Sequence, residues 1–421
     1  MKKIITLAVG IILTLAFSVG TRVTAAPEKA SCGLNSGKAA TGAPIPIGAV
    51  VGKTGPDDFS SSSHAAAAYF KCVNANGGIN GRPIDYQVED DAWNPEQASQ
   101  VATKLVRDQK VVAMVGNTSF VDCGANEALY EAQNVVVIAG VGVPRSCFFS
   151  KNYAPVNAGP RLSNIGAAMY MNKAFGAKTF VCVAANIPGF GQWSCDGVTA
   201  FAKSKGGDSK TILVDPASVD SNAIALQVQA IHPDAFDVNL FKGAAIALLS
   251  ASVDSGLINK TRFMAPTTLY SADIPKAIGP AWSDKLFVHL ELEPTDKGTP
   301  DSKNWRAIMD TYGNASDPRD TFSEAGYLAA RITTETLLKL PPSKITRATV
   351  SDALRHVTNF RSDILCAPWY FGPGSHHNAN HAGSISVVQG DGFVSKEGCF
   401  QIEDPELADL HTLEAQLHIG K

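Results

Sequence analysis

Short apolar runs alternate with amphipathic stretches along nearly the whole chain. Residues 45–51 (Ile-Pro-Ile-Gly-Ala-Val-Val) read as a buried strand. Ser60 to Ser63 supply caps for a helix through His64-Ala65-Ala66-Ala67-Ala68-Tyr69-Phe70, which stops at Gly77-Gly78. Ile84, Tyr86 and Val88 alternate, so a strand follows. Asn94-Pro95-Glu96-Gln97 then opens a helix, with Asn as N-cap, Pro at the first position and Gln at the third. Ala98, Val101, Ala102, Leu105 and Val106 form its apolar face. A strand at 111–115, a helix near 123–133 and a strand at 135–139 follow. The alternation continues with helices at 162–174, 192–205, 221–231, 243–256 and 272–279, interleaved with strands at 178–184, 211–215, 236–241, 262–266 and 285–290. Strands without polar alternation, separated by amphipathic helices, specify parallel sheets covered on both faces, and there are enough strands for two. Three helices (301–313, 321–339, 347–358) come next, then a tail read as strands at 369–371 and 383–388 around a Gly/His/Asn loop.

Length suggests two or three domains, or two large lobes: 421 residues against roughly 100–200 per domain. The net charge of −3, from 36 basic and 39 acidic residues, offers no footprint for nucleic acid or anionic lipid. Met1-Lys2-Lys3 precedes an apolar run from Ile4 to Phe17, and Val23-Thr24-Ala25 supplies small residues. This reads as a signal peptide over residues 1–25, implying export to the periplasm. Eight cysteines (Cys32, Cys72, Cys123, Cys147, Cys182, Cys195, Cys366, Cys399) fit an oxidising compartment. None forms Cys-x-x-Cys, and the even count permits four disulfides. Pairing is not deducible from sequence; neighbours along the chain are the simplest arrangement, with Cys182 alternatively a buried thiol.

Catalytic signatures are missing: there is no His-Glu-x-x-His and no Gly-x-Ser-x-Gly. Gly48-Ala49-Val50-Val51-Gly52-Lys53-Thr54 imitates a phosphate loop but is one residue short. His376, His377 and His381 cluster, yet their spacing fits no standard ligand set and no acid is near in sequence, so a solvated loop or hinge segment is expected. No enzyme activity, metal or cofactor is expected. In parallel sheets of this kind ligands sit at the carboxyl ends of strands, near helix N-termini.

Three segments sharpen this. Asn74-Ala75-Asn76-Gly77-Gly78-Ile79-Asn80-Gly81-Arg82-Pro83-Ile84 resembles the first helix end of the periplasmic branched-chain amino-acid-binding protein family. Glu89-Asp90-Asp91-Ala92-Trp93-Asn94-Pro95-Glu96-Gln97-Ala98 is similar to that family's next signature, and Ile47-Gly48-Ala49-Val50 with Thr54-Gly55-Pro56 to its opening strand and loop. The similarity spans about residues 45–400. It implies a type I solute-binding fold of the α/β class: two doubly wound parallel-sheet lobes joined by a three-strand hinge, with crossings near 157–160, 289–292 and 382–385. Lobe 1 would comprise 45–158 and 291–383, lobe 2 residues 159–290 and 384–402, and a C-terminal tail 403–421. The resemblance further implies a monomer that closes on a small-molecule ligand and delivers it to an ABC permease, with no nucleic-acid partner.

Ligand positions carry over residue by residue. The loop after the third strand, where the family places a carboxylate-binding Ser, is Gly116-Asn117-Thr118-Ser119-Phe120, which nominates Asn117, Ser119 and Phe120. The next loop offers Val141 and Gly142, and the first-loop lid is Phe59. In lobe 2 the family's Tyr-Gly becomes Phe190-Gly191, with Trp193 beside it, and the loop Phe241-Lys242-Gly243 takes another contact position, nominating Lys242. Where the amino-acid branch places an acid for the α-ammonium, this chain has Ala265-Pro266-Thr267-Thr268-Leu269. Burying an unpaired ammonium is costly, so the expected ligand is a small apolar or aromatic carboxylate, with Thr267 at its edge. An amino acid, its ammonium met by Asp57, Asp58 or Asp122, is the alternative. So is a ligand-sensing receptor domain of the same fold.

Overall fold

The computed structural model describes residues 29–419; the expected signal peptide lies outside the described residues. Lobe 1 opens with β1 (Ile45–Val51), α1 (Ser61–Ala75), β2 (Ile84–Asp90), α2 (Pro95–Thr103), β3 (Met114–Val115), β4 (Thr118–Ser119), α3 (Asp122–Ala132), β5 (Val137–Ala139), β6 (Val141–Gly142), α4 (Arg145–Phe148) and β7 (Tyr153–Pro155). Lobe 2 follows with α5 (Pro160–Phe175), β8 (Thr179–Ala185), α6 (Gly191–Ser204), β9 (Asp208–Val214), α7 (Ser221–Ile231), β10 (Ala235–Asn239), α8 (Lys242–Asp254), β11 (Arg262–Ala265), α9 (Ile274–Ile278) and β12 (Leu286–Leu290). The chain returns to lobe 1 for α10 (Pro300–Tyr312), α11 (Thr321–Leu337) and α12 (Arg347–Arg355). It ends with β13 (Ala382–Gln389), β14 (Gly392–Gln401) and α13 (Ala408–Leu417).

Local chemistry explains several boundaries. The Asn94 side chain accepts from the Gln97 N–H, with Pro95 at the first helical position, as its sequence specifies. Asp220 and Asp320 cap α7 and α11 in the same way. In lobe 1, β1 pairs in parallel with β2 on one side and with β3 and β4 on the other. β3 and β4 are halves of one interrupted strand, as are β5 and β6. The first interruption is at Gly116, whose φ of +79° suits glycine. The second is at Gly140, where an added Cβ would lie 1.9 Å from Ser62 Oγ. The start of α1 therefore presses against both kinks, and Ser62 Oγ donates to the Gly116 carbonyl at 3.0 Å.

The lobe 2 sheet runs β14-β13-β12-β11-β10-β8-β9. Its β8 to β12 pairs are parallel, and β13 and β14 add an antiparallel edge. Both faces of each sheet are packed: Ile45 and Ile47 meet Phe70 and Leu328, while Val50 and Val137 meet Leu105 and Tyr130. In lobe 2, Phe236 and Val238 meet Leu248, while Phe180 and Met264 meet Ile165 and Val198.

Four disulfides join neighbours along the chain, Cys32–Cys72, Cys123–Cys147, Cys182–Cys195 and Cys366–Cys399, and no described cysteine is free. Cys182 is thus a bridge partner and not a lone thiol. The last pair ties the segment after α12 to β14, across the lobes. The tail departs from expectation in three ways. Residues 369–371 form no strand: Trp369 makes only an isolated bridge to Phe360, and its indole Nε1–H donates to the Pro155 carbonyl at 2.9 Å. β14 is a largely exposed edge strand carrying Ser395, Lys396 and Glu397, so it lacks an apolar signal. Residues 408–417 form a helix, α13.

The three crossings are knitted together. Asn378 Nδ2 donates to the Ala158 carbonyl at 2.9 Å. Asn380 Nδ2 reaches both the Val156 and Glu291 carbonyls, at 3.2 and 2.8 Å. The His/Asn loop is consequently buried hinge and not solvated surface: His376, His377 and His381 are each less than 10% exposed. Among the described residues no helix is long and apolar enough to cross a membrane.

Candidate ligand-binding site

The carboxyl ends of both sheets face each other, and rings from the two lobes touch across the gap. Phe59 and Phe120 of lobe 1 meet Phe190 and Phe241 of lobe 2, with Phe120–Phe190 and Phe120–Phe241 centroids both 5.4 Å apart. Phe190 and Phe241 are parallel, 6.3 Å apart. Phe322 at the start of α11 closes on Phe59 at 5.9 Å. The cleft is therefore shut to a narrow slot lined by these five phenylalanines with Val141, Gly142, Val143, Asn157, Pro160, Asn239, Leu240, Pro266, Thr267, Thr268 and Glu291. Its mouth carries Asp57, Asp58, Lys242, Tyr270, Ser271, Asp320 and Thr321.

Polar groups in the slot are few. The Thr267 and Thr268 hydroxyls have no hydrogen-bond partner within the protein, although a buried hydroxyl ordinarily finds one. Lys242 Nζ pairs with Asp273 at 3.0 Å at the rim. Lys242 opens α8 and Phe190 precedes α6, and neither helix has a side-chain cap from its own N-cap residue; the Lys242 N–H is met by Asp57 at the mouth, whereas the first-turn N–H groups of α6 remain available as donors. Glu291 lies at the back, accepting from the Gly159 N–H at 2.9 Å. Burial pushes its carboxyl up to about 7, against the opposing pull of the Gly159 N–H and the Asn157 side chain. Burial also raises Asp57 at the mouth, partly countered by the Asp58 N–H and by Lys242.

Of the sequence-nominated residues, Phe59, Phe120, Val141, Gly142, Phe190 and Thr267 line the slot, and Lys242 lines its mouth. Three lie elsewhere. The Ser119 hydroxyl donates to Asp91 Oδ2 and accepts the Val121 and Asp122 N–H groups at 3.0 and 2.9 Å, so its hydrogen-bonding capacity is spent inside lobe 1. Asn117 is buried beside it, donating to Asp122 Oδ2 at 2.8 Å. Trp193 packs behind the slot against Phe148 at 5.7 Å, its Nε1–H on Glu406 at 3.0 Å. Asp122, a candidate partner for an ammonium, is fully buried in that lobe 1 network, with Tyr130 and Asn126 on its other oxygen.

Phe322, Thr268 and Glu291 escaped nomination, and Phe241 entered only as a neighbour of Lys242 in its loop; they sit at helix starts or crossings, where only the fold brings them to the slot. Trp93 also escaped, and it stacks on Phe120 at 4.4 Å from behind. Ala92 and Trp93 both have positive φ, +51° and +57°, rare for residues with a Cβ. Asp90 and Asp91 hold that turn by accepting their N–H groups at 2.9 and 2.8 Å. The acidic run before Trp93 is the sequence signal for this support.

The family profile described as periplasmic binding protein matches residues 44–392. A Pseudomonas aeruginosa protein named amino acid binding protein is 34% identical over 103 residues, 23% of this chain and 28% of that protein, so the match spans under a third of the relative's length. A fatty acid ABC transporter substrate-binding protein from Thermomonospora curvata superposes with a TM-score of 0.75 at 21% identity, covering 88% of this chain and 95% of its own. The solute-binding protein of an ABC transporter from R. palustris, in complex with 4-hydroxybenzoate, gives 0.73 at 17% identity, covering 87% and 100%. These three differ in the ligand their names carry, and the two structural likenesses speak for the fold alone. With nearly the whole lobed region matched and the two-sheet cleft in place, the chain belongs to the periplasmic binding protein family, the type I solute-binding proteins that include branched-chain amino-acid-binding members.

Proposed function

We propose that this is the exported solute-binding component of an ABC uptake system, a monomer that captures a small apolar or aromatic carboxylate by closing its lobes and presents it to a permease. One observation carries the ligand class: two threonine hydroxyls without protein partners stand beside five phenylalanine rings. An aromatic or branched apolar body fits among the rings, each edge-to-face or stacked pair contributing about 0.5–1.5 kcal/mol beyond area burial. A carboxylate would accept from Thr267 and Thr268, with Lys242 and the uncapped start of α6 adding favourable charge. Below neutral pH the Glu291 carboxyl is mostly protonated and does not repel an anion. The 4-hydroxybenzoate and fatty-acid neighbours are compatible with such a ligand.

A second reading is an amino acid. Glu291 favours it, because an α-ammonium entering the slot would ionise and pair with that carboxyl. The Pseudomonas aeruginosa relative's name points the same way.

A thermal-shift screen of the untagged mature protein separates the readings. The panel holds benzoate-type, aliphatic and keto acids together with leucine, valine and phenylalanine. Aromatic or aliphatic acids are expected to raise the midpoint in proportion to affinity. A rise with leucine or valine and none with the acids would overturn the carboxylate reading. Glu291→Gln should abolish an amino-acid response and leave an acid response in place.

A further inference from the structure

The His-rich hinge loop, without acids in its own sequence, acquires them from the C-terminal helix. His376 Nδ1 lies 3.0 and 3.1 Å from the two Asp409 carboxylate oxygens and stacks on Phe149 at 4.1 Å. One and a half turns along α13, Glu414 is flanked by two histidines: His381 Nε2 is 2.6 Å from Oε1 and His411 Nδ1 is 3.2 Å from Oε2. The imidazole rings of His381 and His411 are 5.2 Å apart. The three donor atoms all lie within 4.8 Å of one another. Tyr370 donates its hydroxyl to Glu414 Oε1 at 2.9 Å and orients the carboxylate, as outer-shell partners of metal ligands do.

From this geometry we infer that His381, His411 and Glu414 form a binding site for a divalent cation of the zinc class, clamping α13 to the segment that links the lobes. Two imidazoles and one carboxylate are the ligand set that zinc-like ions select over magnesium or calcium. With bonds of about 2.0–2.2 Å, tetrahedral donors stand roughly 3.3 Å apart, so the present set has to adjust by only about an ångström. His411, half exposed, can supply that movement, and its open side leaves a fourth position and an entry path. His381 is buried with its Nδ1 unpartnered, so its Nε2 contact is what anchors the ring. None of these three residues lines the slot or its mouth, and the site does not depend on the ligand proposed there.

The test is titration of untagged, chelator-stripped mature protein with zinc chloride alone, followed by calorimetry and by competition with a chromophoric chelator. One equivalent is expected, and His411→Ala and Glu414→Gln should each weaken binding at least 10-fold. His411 is half exposed whereas Glu414 is largely covered, so the fold of each variant is checked by circular dichroism. Cobalt(II) should give the visible absorption of a four-coordinate site in the wild type and lose it in His411→Ala. Absence of stoichiometric zinc binding, or binding unchanged in both variants, would overturn the assignment.

Discussion

Replacing Glu291 by Gln removes a carboxyl that folding buries completely, at the second crossing between the lobes. Its pKa rises on folding from 4.5 to about 7. At about 1.4 kcal/mol per unit this is a linkage of about 3 kcal/mol. The sign follows from proton counting. Between those two values the folded chain keeps a proton that the unfolded chain has lost, so rising pH favours unfolding across this window. Below pH 4.5 the group costs nothing; above 7 the full penalty applies. Gln keeps the shape and can accept from the Gly159 N–H, but does not ionise. The variant should therefore exceed the wild type in unfolding free energy by less than 1 kcal/mol at pH 5 and by about 3 kcal/mol at pH 8. Denaturant titrations of both proteins from pH 5 to 8.5 measure the difference. Asp91, raised by burial to about 6, tilts the wild-type curve in the same direction, but it is common to both proteins and cancels. A difference that stays flat across the range would refute the account of Glu291 as a buried, proton-retaining hinge group.

Two further substitutions probe the slot and its frame. Thr267→Val deletes an unpaired buried hydroxyl at nearly constant shape; it should leave unliganded stability unchanged or higher. The same change should weaken carboxylate binding about 5–10-fold, on the order of 1 kcal/mol, read by calorimetry with whichever acid the screen identifies. Gly326→Ala would place a Cβ 1.9 Å from the Ser62 carbonyl oxygen, where α11 crosses α1. A loss of about 1–3 kcal/mol is expected from overpacking, measured by denaturant unfolding, with Phe322 one turn away displaced from the slot.

What the sequence alone determined is local or repetitive. The strand and helix alternation specified parallel sheets because strands buried on both faces need no polar positions, and this holds from β1 to β12. Caps such as Asn94 and terminators such as Gly77-Gly78 act within a few residues, so they were legible at once. The cysteines bridge between chain neighbours, the simplest arrangement their even count permits, and Phe59, Phe120, Phe190 and Thr267, nominated because they follow strands at the sheets' carboxyl ends, come together at the slot. The tertiary structure decided everything that depends on segments far apart in the chain. Whether Ser119 faces a ligand or is consumed by Asp91 is settled by a contact 28 positions away. Glu291 and Phe322 reach the slot only because the second crossing and α11 return to lobe 1 after β8 to β12 have been made. The histidines of the hinge loop met their acids from α13, 33 residues further on. Side-chain patterns repeat every two or 3.6 residues and so announce an element wherever it ends up, whereas a site is an intersection of elements, and its members share no spacing along the chain.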